Sequence, residues 1–78
     1  MSADEATIRI GSTVRVQDGP DKDEYQIVVP AEADPGQGLI SFDSPMGRAL
    51  IGRKVGDEVT VRRPIRNEQV VIIGHIPS

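Results

Sequence analysis

DSPMGRALIGRKVGDEV, residues 43–59, joins an acid–serine–proline corner to a short apolar-rich run, a glycine, two cations and a Gly-Asp pair. The corner reads as a helix start. Ser44 can cap it by accepting a backbone N–H bond, and Pro45 suits the first helical position, where no donor is needed. Met46, Ala49 and Leu50 follow at i, i+3, i+4 spacing, so one face can pack down. Gly52 supplies a C-terminal stop. The product is a helix of about two turns, too short to persist alone in water. It requires a sheet beneath it.

The flanking sequence supplies one. Ile8 and Ile10 alternate with Arg9 until Gly11 breaks the run, and residues 12–17 alternate again with Val14 and Val16 inward. DGPDKDE, residues 18–24, reads as a polar turn, since Gly19 and Pro20 suit a bend and block a central strand. In the next strand Tyr25, Ile27 and Val29 share one face, Gln26 and Val28 the other, and Pro30 ends it. AEADPGQG, residues 31–38, is a second loop, and residues 39–43 form a short strand with Ile40 and Phe42 on one face. Residues 58–62 alternate cleanly with Val59 and Val61 inside, and residues 64–68 turn the chain. The last strand, residues 69–76, contains the consecutive β-branched run Val70, Val71, Ile72 and Ile73, which predicts cover on both faces. The fold class is therefore α+β. Periodicity leaves two architectures open: an antiparallel sheet wrapped over one short helix, or a closed five-stranded barrel with the helix capping one end.

Length and composition narrow the functions. A chain of 78 residues makes one domain, read here as a flexible tail over residues 1–7 and a folded unit over 8–76. A chain this small buries only about 60–65% of its unfolded surface, so a surface site is easier to build than an enclosed pocket. Without cysteine there is no disulfide, zinc–thiolate site, iron–sulfur cluster or thiol nucleophile. The acidic, polar start MSADEATIRIG lacks the basic region and apolar run of a signal peptide. Residues 70–73 are the longest fully apolar run, far too short to cross a membrane. The expected setting is cytoplasmic.

The chemistry of catalysis is sparse. His75 is the only imidazole and reads as a solvent-facing or turn residue near the chain end. A Ser44–His75–Asp43 triad can be written, but its acid and serine are adjacent and Ser44 already caps a helix. One histidine with scattered carboxylates makes a poor metal site, so no metal and no cofactor is expected. Asp57 and Glu58 point to opposite faces of a strand, and Asp21, Asp23 and Glu24 lie in an open turn. The glycines give no nucleotide-binding fingerprint.

The net charge of −3 is uneven: residues 1–43 carry nine acids against three cations, and residues 44–78 six cations against three acids. This is ordinary solvated surface or a basic edge that meets an acidic partner. Direct nucleic-acid binding through Arg62, Arg63 and Arg66 stays open, although Phe42 and Tyr25 alone are available for base stacking.

The stretch ISFDSPMGRALIGRKVGDEVTV, residues 40–61, closely resembles the C-terminal domain of the Gre-type bacterial transcript cleavage factors, the GreA and GreB proteins. GSTVRV, EYQIVVPAEADPGQGLISF and VVIIGHI occur in family order around it. The resemblance implies an FK506-binding-protein-like fold, a curved antiparallel sheet packed against one short helix. It further implies docking on a coiled-coil rim of the RNA polymerase largest subunit, beside the secondary channel. The family's contact positions fall on Asp43 and Pro45, flanked by Ser44 and Met46, with Asp34 and Pro35 at the interface periphery.

Asp43 offers a carboxylate for a charged hydrogen bond, Pro45 a rigid contact and Met46 an adaptable apolar one. Helix capping and core packing are the competing roles for the same residues. Full-length family members also carry an N-terminal helical hairpin whose acidic tip helps hold a metal ion at the polymerase active site. About seven residues precede the first expected strand here. The expectation is thus a monomeric docking module without cleavage activity of its own. It would be an excised domain, a short homologue, or an inhibitor competing for the same site.

The alternatives are a structural interaction domain in another assembly, a weak RNA-binding module, and a prolyl isomerase by fold analogy alone. VRRPIRNEQV, residues 61–70, departs from the family, which often has a glycine-rich turn there. The replacement is more basic, which is either drift or an altered partner surface.

Overall fold

The structure, a computed structural model, describes residues 7–77. The expected tail therefore lies outside the described residues, Thr7 excepted. Five strands and one helix follow: β1 Thr13–Asp18, β2 Asp21–Val28, β3 Leu39–Ser41, α1 Pro45–Leu50, β4 Glu58–Arg62 and β5 Asn67–Ile76. Two single-turn 3-10 segments, Pro30–Glu32 and Pro35–Gln37, lie between β2 and β3. The strands form one sheet in the order β3-β2-β1-β5-β4.

The sheet is mixed rather than wholly antiparallel. β1 pairs antiparallel with β2 and β5, and β4 with β5, but β2 and β3 run parallel, with Ile27 opposite Ile40. Parallel neighbours need a long connection to return the chain to the starting end. Residues 29–38 provide it, pinned midway where Asp34 N–H donates to the Leu39 carbonyl at 2.7 Å.

Neither edge of the sheet is closed onto the other, so the barrel alternative fails. α1 instead touches both edge strands, β3 and β4. A helix of two turns can reach both edges only if the sheet curls around it. A bulge at Ile73 of β5, between the pairs Arg15–Gly74 and Val16–Ile72, adds bend where the curl needs it.

The helix forms as its sequence requires. Ser44 is its N-cap, with the side-chain oxygen accepting the Gly47 N–H at 3.1 Å, and Pro45 sits in the first turn. Gly52, at a φ of 86°, takes the left-handed conformation just past its end. Leu50 is fully buried and Met46 is 6% exposed. They join Val14, Val16, Ile27, Ile40, Val59, Val61, Val70 and Ile72 in one core. β4 spans the expected residues, with Val59 and Val61 buried.

Other expectations change as well: the strand expected over residues 39–43 ends at Ser41. The polar run after Pro20 is strand, not turn: Asp18 pairs with Asp21, and only Gly19 and Pro20 lie between them. Gly19, at a φ of 58°, meets the need of a two-residue hairpin for a positive φ at its first loop position. Residues 21–24 are exposed throughout, so their polarity marks a solvated strand rather than a break.

Ile8 is not in a strand. It is a buried anchor whose N–H donates to the Arg53 carbonyl and whose carbonyl accepts the Gly52 N–H, while Ile10 turns outward. Val29 is exposed as well, because the chain leaves the sheet at Val28 to enter the first 3-10 turn. Finally, β5 is covered on one face only. Val70 and Ile72 are buried, but Val71 and Ile73 face out, since among the described residues no second layer covers that side. No helix among the described residues is long and apolar enough to cross a membrane.

Candidate functional site

The exposed corner at residues 43–45 is built by the close passage of α1 over the end of β3. Gly47 makes that passage possible. A Cβ placed on it would sit 2.1 Å from the Ser41 carbonyl oxygen and 3.1 Å from the Phe42 backbone. Only a residue without a side chain lets the helix lie so near the strand.

Ser41 and Ser44 lock the geometry. The buried Ser41 hydroxyl bonds the Asp43 carboxylate and accepts the Asp43 N–H at 3.3 Å. The Ser44 hydroxyl donates to the Ser41 carbonyl at 2.7 Å, and the Ser44 N–H reaches the same carbonyl at 3.0 Å. The Asp43 side chain is thus aimed by its own turn, and Asp43 and Pro45 remain exposed. Ser44 is half-buried and occupied by capping.

Three open grooves share Pro45 as a wall. The first, about 420 Å³, runs between α1 and β4 and is lined by Asp43, Pro45, Arg48, Ala49, Thr60 and Arg62. A second, about 280 Å³, has Pro35 and Tyr25 opposite Ser44, Pro45 and Arg63, with Ile40 and Met46 also lining it. The third, about 390 Å³, lies between Pro45 and Arg63, Pro64, Ile65 and Arg66 of the β4–β5 hairpin. Pro35 is therefore brought to the corner. Asp34 is exposed and serves the backbone bridge to Leu39. Met46 lines the second groove while packed into the core, so packing is its main role.

Sequence reasoning missed Ser41 and Gly47. The Ser41–Asp43 spacing, a hydroxyl two residues before an acid at a turn, was a usable signal. Gly47 gave none, because its need arises from a contact with another element.

Arginines ring the corner. Arg63 is tied to Glu68 at 2.9 Å, whereas Arg48 and Arg62 make no ion pair with a described residue. Glu68 is held below its ordinary carboxylate range, first by a hydrogen bond with Asp18 and then by the Arg63 bond. Asp18 is raised, chiefly by the same bond to Glu68. Burial raises the Tyr25 phenol, and the charges of Asp23 and Glu68 add to it.

His75 is a correction. It is half-buried in β5, and its Nε2 lies 2.9 Å from the Ser12 hydroxyl, which also accepts the Arg9 N–H. It is therefore neither solvent-facing nor in a turn, and its serine partner is Ser12. The two aromatics, Tyr25 and Phe42, pack partly against the core rather than lining a pocket together.

The family described as "Transcription elongation factor, GreA/GreB, C-term" matches residues 3–75. Transcription elongation factor GreA of Macrococcus caseolyticus is 49% identical over 71 residues, covering 88% of this chain and 45% of that protein. The crystal structure of GreA factor homolog 1 from Thermus thermophilus superposes with a TM-score of 0.80 at 30% identity, over 97% of this chain and 52% of that one. A prokaryotic GreA/GreB elongation factor from Nitrosomonas europaea gives a TM-score of 0.74 at 27% identity, over 91% and 61%. The chain spans less than half of the GreA sequence and about half of the Thermus structure.

Proposed function

This chain belongs to the GreA/GreB transcription elongation factor family, as its C-terminal domain, and from that premise we propose that it docks on bacterial RNA polymerase through the Asp43–Pro45 corner. The observation that carries this reading is the exposure of Asp43 and Pro45 on a turn fixed from below by Ser41 and Gly47. A carboxylate already aimed by its own turn loses little freedom on binding. It can meet a polymerase Arg or Lys in a charge-assisted hydrogen bond. Pro45, shared by three grooves, gives the rigid apolar wall beside that bond. The grooves are open, which suits a protein surface better than a small substrate.

The docking place proposed is the coiled-coil rim of the largest subunit beside the secondary channel, with Pro35 at the periphery. The activity assigned to these residues is docking, not RNA hydrolysis. We also assign the curled sheet to the FK506-binding-protein-like arrangement, supported by the single helix that reaches both sheet edges.

Titration of the chain and of its Asp43→Ala/Pro45→Ala variant against purified RNA polymerase tests the proposal. The expected result is a loss of affinity of at least about tenfold, or ~1.4 kcal/mol, with an unchanged circular dichroism spectrum. Equal affinity for the two proteins would remove the corner from the interface.

A further inference from the structure

The β4–β5 hairpin tip is the most conspicuous surface feature that the docking corner does not explain. Ile65 is 95% exposed, far beyond the other outward aliphatic side chains, the next being Ile76 at 63%. It sits in the run Arg62-Arg63-Pro64-Ile65-Arg66, where the chain turns between β4 and β5. Pro64 and the Arg63–Glu68 bridge stiffen the turn. The tip is also continuous with the corner, since Pro45 and Ile65 wall the same groove of about 390 Å³.

We propose that this tip is a second contact arm, on which Ile65 inserts into an aliphatic patch of the same protein partner while Arg62 and Arg66 meet carboxylates around that patch. The proposal rests on the docking reading and names the partner chemistry that the reading leaves open. Charge complementarity selects an acidic surface, because Arg48, Arg62, Arg63 and Arg66 all lie around the corner and the tip. The same chemistry disfavours a nucleic acid. A phosphate backbone offers nothing to an exposed isoleucine beside Pro64, and residues 62–66 contain no aromatic ring for a base to stack on. A bare aliphatic side chain ringed by arginines is instead the pattern of a buried interface anchor with a charged rim.

The test is a titration of four chains against purified bacterial RNA polymerase: wild type, Ile65→Asp, Ile65→Val, and Arg62→Glu/Arg66→Glu. Asp43→Ala/Pro45→Ala serves as the corner control. The arm predicts about a tenfold weakening for Ile65→Asp, near-complete retention for Ile65→Val, and weakening with a shallower salt dependence for the arginine reversal. Thermal melting should not change in any of the three tip variants. If the tip variants bind like wild type while the corner control fails, the arm is refuted and the corner stands. If the wild-type chain does not bind, both readings fall. If the arginine reversal abolishes retention of a single-stranded RNA and leaves polymerase affinity intact, the tip is a nucleic-acid element and the proposal is overturned.

Discussion

The corner proposed for docking and the hairpin tip face the same grooves but are built in opposite ways. In the corner almost every group serves the fold as well as the surface. Ser41 is buried and bonds Asp43, Ser44 caps the helix, Gly47 makes room for it, and Leu50 fills the core. At the tip, residues 62–66 are all exposed, and only Arg63 makes an ion pair with a described residue. A surface that must hold a fixed shape is drawn from the fold's own constraints. A surface that must only reach and attract can be left free of them. Substitutions at the supports of the first region, Ser44, Gly47 and Leu50, should therefore change stability, and substitutions in the second should change binding alone.

The sharpest way to break that contrast is Leu50→Ala. Leu50 has no exposed surface, so its truncation should cost about 2–5 kcal/mol, much of the roughly 4–12 kcal/mol available to a chain this size. Urea unfolding would measure it, and a cost near zero would mean that the corner is not anchored through the core. Gly47→Ala comes next, at about 3 kcal/mol, because the new methyl meets the Ser41 carbonyl and rigid backbone cannot yield cheaply. A melting temperature equal to wild type would show that the helix can lift off β3.

Ser44→Ala should cost about 1 kcal/mol through the lost cap, readable in the same unfolding experiment. Ile65→Asp should stay within about 0.5 kcal/mol of wild type, and a larger loss would erase the distinction between the two regions.

The smallest effect concerns Asp18 and Glu68. Glu68, whose pKa is lowered in the fold, stabilises above its ordinary range, and that contribution is lost as pH falls through its depressed value. Asp18, raised in the fold, contributes in the other direction: its share is complete at acid pH and is lost as pH rises through the raised value. The two act in successive windows: as pH falls, stability rises through Asp18's raised value and then falls through Glu68's depressed one, so the pair contributes most between them. Glu68→Gln should bring the Asp18 titration back toward its ordinary range, as followed by carboxyl NMR.

Much of this was legible in the sequence. The Ser44-Pro45 start, the Met46–Leu50 face and the Val59–Val61 alternation are local patterns, and they formed as read. What failed was decided by long-range contact or by the limits of polarity as a signal. β3 runs parallel because of where residues 29–38 return the chain, which no local pattern encodes. Residues 21–24 are strand despite their charge, since their partners on β1 supply the backbone bonds. Val71 and Ile73 looked covered because β-branched side chains suit a strand whether or not anything packs on them. At the site, Asp43 and Pro45 could be singled out from sequence, and the structure gives their shape. The requirement for Gly47 is visible only once α1 lies on β3.

α1 leans on both β3 and β4, the two outer strands of an open sheet. It works as a cross-brace, so the margins of the sheet are not independent. A partner that grips the start of α1 pulls on both together. Amide exchange in β3 and β4 should then slow in unison when the corner is occupied, although the strands lie at opposite ends of the strand order.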